Sequence, residues 1–107
     1  MRRFGQIIHV KPDRIKDYER IHAAVWPEVL ETITACNMRN YTIFRHGNLL
    51  FAYFEYIGND FEADQKKMGA DPKTKEWWTH TDPMQEPLED KAEGEWWANM
   101  KEVFHTD

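Results

Sequence analysis

Apolar and polar residues alternate from Phe4 to Val10, with Phe4, Ile8 and Val10 on one face and Gly5, Ile7 and His9 on the other. That period of two predicts a strand. The period lengthens after Pro12-Asp13, a pair suited to a helix's first turn, where a missing N–H is harmless and an acid meets the positive end. Ile15, Tyr18, His22, Val25, Val29 and Ile33 then follow at spacings of three and four, which predicts one long helix with an apolar stripe. Pro27 cannot donate to the Ala23 carbonyl, so the helix should kink near Trp26-Pro27. Asn37 should stop it.

Arg39–Arg45 and Leu49–Tyr56 are the next predicted strands, joined as a hairpin through His46-Gly47-Asn48. Leu49-Leu50-Phe51-Ala52-Tyr53-Phe54 is apolar on both faces, the pattern of a strand covered on both sides. Asp60–Met68 is expected to be helical, and Asp71–His80 to form a short helix opened by Pro72. Thr81–Glu95 holds two prolines and many acids and is expected as an extended surface segment. Lys101–His105 is expected as a last strand with Val103 inward. The order β-α-β-β-α-β predicts an α+β, ferredoxin-like fold, an antiparallel sheet with its helices on one face. The other face would be bare, and a second copy of the chain is the simplest cover, so the expected assembly is a dimeric α+β barrel. The alternative is a monomer whose bare face is covered by the 81–95 segment.

At 107 residues the chain is expected to be one domain, residues 1–107. Five Trp, four Tyr and six Phe are many for one small core, so some should face a pocket or a partner. No apolar run approaches the ~18 residues of a membrane span. The basic start Met1-Arg2-Arg3 lacks the apolar stretch of a secretory signal. The single Cys36 excludes an internal disulfide framework and suits a reducing, cytoplasmic location. The net charge of −5 is carried by the stretch from Asp82 to Glu95, and no basic surface for a nucleic-acid backbone is concentrated anywhere. Neither nucleic acid nor membrane is an expected partner.

Tyr18 and His22 stand one helical turn apart on the same face, and an imidazole can give and take protons near neutrality. The same pair would also serve as ordinary core. Trp77-Trp78 admits two readings as well: two packed aromatics, or one indole packed and one stacked on the C–H face of a sugar. Tyr41 lies mid-strand between Asn40 and Thr42. The histidines show no metal-ligand spacing, and no glycine-rich phosphate loop is present, so neither a metal nor a cofactor is expected.

Taken together, Asp13-x4-Tyr18-x3-His22-x3-Trp26-Pro27-Glu28, Asn40-Tyr41, Leu50-Phe51, Trp77-Trp78 and Glu102-Val103-Phe104 resemble the L-rhamnose mutarotase family over nearly the whole chain. The resemblance implies a homodimer of ferredoxin-like subunits and a cofactor-free isomerase that interconverts the α and β anomers of a free monosaccharide. It also implies that His22 is the proton donor and that Tyr18, Tyr41, Trp77 and Trp78 contact the sugar. Ala24, where some members have a second proline, is a departure outside that set, and the identity of the sugar stays open. The base could be Tyr18, an acid or a water, with a water held by Tyr18 and Tyr41 preferred. The rival classes are a non-catalytic sugar-binding module and a small oxygenase, cofactor-free or haem-dependent, of the same fold.

Overall fold

The computed structural model describes all 107 residues. Strand β1 (Arg2–Val10) leads through a 3-10 turn at Pro12–Arg14 into α1 (Ile15–His22) and α2 (Pro27–Ala35). Strands β2 (Met38–His46) and β3 (Leu49–Tyr56) form the hairpin, followed by α3 (Phe61–Ala70) and α4 (Pro72–Thr81). Two short strands close the chain, β4 (Gln85–Glu86) and β5 (Ala98–Met100). The sheet runs β2-β3-β1-β4, with β5 also on β1, and every pairing is antiparallel. This is the expected α+β plan with its fourth strand in two pieces: β4 binds the far end of β1 at His9 and Val10, β5 its middle at Gly5–Ile7.

Three expectations are corrected. The single kinked helix is two helices, because Trp26, preceding a proline, leaves helical space at ψ 134° and Pro27 starts a new helix. The last strand is Ala98–Met100, not Lys101–His105, and Val103 is 87% exposed instead of inward. The upstream indoles set that register, since Trp97 packs against the Ile8 cluster and Trp96 bonds Gln85, so pairing with β1 begins at Ala98. Finally, the 81–95 segment is not all surface: Thr81, Met84 and Gln85 are buried. Met84 is apolar and joins the core, while Gln85 finds side-chain partners inside.

The helices cover the face that carries Ile8, Val10, Leu50, Ala52 and Phe54. Tyr18 of α1 joins Ile8, Val10, Leu50 and Met84 in one cluster. Cys36, Met38, Phe54 and Met68 of α3 form a second. Asn37 turns the chain from α2 into β2 at φ 65°, a left-handed conformation that asparagine tolerates, and its amide donates to Asp64 at 3.0 Å. The Tyr56 hydroxyl donates to the same carboxylate, so α3 is tied to the sheet by a shared acceptor. On the opposite face Ile7, Phe51 and Phe44 stand side by side across three strands, and Phe44 is 63% exposed. No helix is long and apolar enough to cross a membrane.

Candidate active site

Helix α1 ends on His22, and that placement sets the chemistry of its ring. Nδ1 lies 2.7 Å from the Tyr18 carbonyl oxygen, which can only accept. Nδ1 therefore carries a hydrogen, and Nε2 is the position that takes up or releases the second proton. The imidazole stacks on the Tyr18 ring at a centroid separation of 4.0 Å. Burial pulls the His22 pKa below its ordinary 6.5, and the bond to the carbonyl offsets part of that.

Trp77 meets His22 edge-on at 5.4 Å, and Trp26 meets Trp77 in the same manner at 5.2 Å. Asp71 starts α4 by accepting hydrogen bonds from the Thr74 backbone N–H at 2.9 Å and from its hydroxyl at 3.0 Å. The helix so started buries Trp77 and leaves its neighbour Trp78 38% exposed on the side of Gly69. The two indoles part because consecutive helical positions point about 100° apart.

Tyr41 arrives by way of a bulge. Pairing of β2 with β3 shifts register between Arg39 and Thr42, and Asn40 takes φ 52°. Plain alternation would put Tyr41 with Arg39; instead Arg39 is opposite Glu55 and the Tyr41 ring stacks on Phe54 at 5.5 Å. Desolvation pushes the Tyr41 pKa up to about 12. Burial raises that of Tyr18 further still, and nearby Tyr41 adds to the rise. Both phenols stay protonated at neutral pH, so each is a hydrogen-bond donor and neither is a base.

A cavity of about 440 Å³ opens beside this group, lined by Tyr18, His22, Ile43, Phe44 and Leu50, with the Arg45–Glu19 ion pair at its rim. It is in the size range of small-ligand sites. A second depression of similar volume, bounded by His9, Glu86, Leu88, Glu89 and Asp90, belongs to the acidic segment and lies away from His22. That segment thus lines a depression of its own.

Of the five residues singled out in the sequence, four converge (Tyr18, His22, Tyr41 and Trp77), and Trp78 stands outside the cluster. Three others were missed. Trp26 packs between Trp77 and His80, and its position before Pro27 was the available signal. Gln85 donates to the Tyr18 hydroxyl at 3.1 Å and accepts from the Trp96 indole at 2.7 Å. Nothing in an acidic, proline-containing stretch marks Gln85, while the Trp96-Trp97 pair reads from sequence as packing or dimer contact.

The arrangement offers one titratable ring nitrogen and one phenol at a cavity, with the Trp77 indole packed edge-on against that ring and Tyr41 near Tyr18 but outside the cavity lining. Such a set suits a neutral polyhydroxy ligand and a proton transfer. A solved L-rhamnose mutarotase from Formosa agariphila superposes over the full length of both chains with a TM-score of 0.77 and 18% identity. Tetracenomycin F2 cyclase from Streptomyces glaucescens does so at 0.71 and 14%, so the fold extends to other chemistry. The L-rhamnose mutarotase of Oceanobacillus iheyensis is 31% identical over the whole of both chains. The family model described as L-rhamnose mutarotase matches residues 3–106, and the chain belongs to the L-rhamnose mutarotase family.

Proposed function

We propose that this protein interconverts the α and β anomers of free L-rhamnose, with His22 as the proton donor. The observation that carries the reading is the His22 ring, anchored through Nδ1 to the Tyr18 carbonyl and bordering a 440 Å³ cavity. Nε2 of the imidazolium gives its proton to the ring oxygen as the C1–O5 bond breaks, while a base takes the proton of the anomeric hydroxyl and C1 becomes an aldehyde. Rotation about C1–C2 presents the other carbonyl face. The C5 hydroxyl then attacks C1, its proton returns to Nε2, and the carbonyl oxygen regains a proton. The raised pKa values of Tyr18 and Tyr41 leave neither phenol as the base and favour a bound water in that role. Trp77, which meets His22 edge-on, is the proposed indole contact of the sugar, and Trp78, turned toward Gly69, is not.

Homodimerisation through the bare sheet face and closure of two sheets into a barrel belong to the same proposal. They are supported by the apolar row Ile7–Phe51–Phe44 and by exposed Met100 beside Gly5. Saturation-transfer NMR on the α and β anomeric protons tests the activity: exchange of L-rhamnose should accelerate with the protein present. His22→Ala should cost roughly 10²- to 10⁴-fold in exchange and leave sugar binding in place. A variant that lost affinity instead would point to a sugar-binding module.

A further inference from the structure

Gln85 is 5% exposed and uses both ends of its amide. Its Oε1 accepts from the Trp96 indole N–H at 2.7 Å, and its Nε2 donates to the Tyr18 hydroxyl oxygen at 3.1 Å. An indole nitrogen can only donate, so it fixes which end of the amide is the oxygen. The NH2 end is then forced toward Tyr18. A phenol whose oxygen is already accepting must send its own hydrogen elsewhere, and Tyr18 borders the cavity that His22 lines.

We propose that Gln85, oriented by Trp96, is a positioning residue for the isomerase: it makes Tyr18 a one-way donor to an oxygen of the bound monosaccharide. The order is Trp96 N–H to Gln85 carbonyl, Gln85 N–H to Tyr18 oxygen, Tyr18 O–H to sugar oxygen. Each link polarises the next, so the last donor is stronger than a free phenol. With burial holding the phenol protonated and Gln85 donating to its oxygen, the Tyr18 hydrogen is free to point to the sugar. The 81–95 segment thereby contributes Gln85 to the site, and Trp96, just beyond it, orients that residue.

The inference rests on the mutarotase reading, and the test separates the two. Exchange of L-rhamnose is measured by NMR for the full-length wild type, Gln85→Met, Tyr18→Phe and the double variant, with thermal unfolding of each. Gln85→Met, similar in size and without hydrogen-bonding groups, should lower exchange by up to about tenfold, the scale of one neutral hydrogen bond. Tyr18→Phe should do the same, and the double variant should be no worse than Tyr18→Phe alone, because Gln85 acts only through that hydroxyl. A purely structural Gln85 would give additive losses, about a hundredfold in the double variant, and that result overturns the proposal. Should Gln85→Met fail to fold, Trp96→Phe carries the same cycle, since Trp96 is 43% exposed and its loss frees the Gln85 amide to turn over. A wild type that exchanges normally beside an unaffected Gln85 variant removes the relay alone. A wild type without exchange removes the mutarotase reading and the relay with it.

Discussion

His22 shows how one backbone carbonyl and partial burial set the behaviour of a side chain. The lowered pKa means that the imidazolium needed for donation is a minor form at neutral pH. Enzyme-dependent exchange, corrected for the uncatalysed rate, should therefore rise as the pH falls from about 8 to about 6, and the His22 ring should titrate by NMR with a midpoint below 6.5. The sign for stability is opposite. The unfolded chain binds this proton more readily than the native one, so His22 lowers stability as the pH falls below its unfolded value near 6.5. Tyr18 and His22 were legible in the sequence because an i, i+4 spacing on an apolar stripe puts them in contact whatever the rest of the fold does. Gln85 was not legible. Its partners are 67 residues upstream and 11 downstream, and no local pattern encodes such contacts.

At the level of elements, the strands and the α3–α4 pair follow from period, prolines and capping residues, whereas two features needed tertiary information. A proline cannot by itself say whether a helix kinks or breaks; here Trp26, extended and packed on Trp77 and His80, decides for a break. The β2 bulge is equally hidden, since Asn40 also fits regular alternation, yet it brings Tyr41 onto Phe54. Helix α4 carries Trp77 to the site and depends on its first residue's neighbour. Asp71→Ala removes the acceptor for Thr74 and should lower the denaturant midpoint at unchanged slope. The wild-type contribution is present above the ordinary carboxylate pKa and is lost as the pH falls through the depressed value that the Thr74 bond gives Asp71.

For the molecule as a whole, the sheet's faces differ: one holds the core with Tyr18 and His22, the other a row of apolar side chains ending on Phe44, which also borders the cavity. The expected dimer uses the second face. Phe44 is 63% exposed in the single chain, so Phe44→Glu should cost the monomer little. Light scattering should then give the wild type twice the mass of one chain and the variant half the wild-type value. The sequence disclosed that face through β3, apolar on both sides, but the wrong final strand followed from judging Val103 by hydrophobicity without the Trp96 and Trp97 anchors. A last consequence belongs to the helix-covered side. Cys36 is the only thiol and is fully buried where α2 meets β2. A thiol-reactive dye can reach it only when that junction parts, so the labelling rate acts as a built-in clock for how often the native body opens.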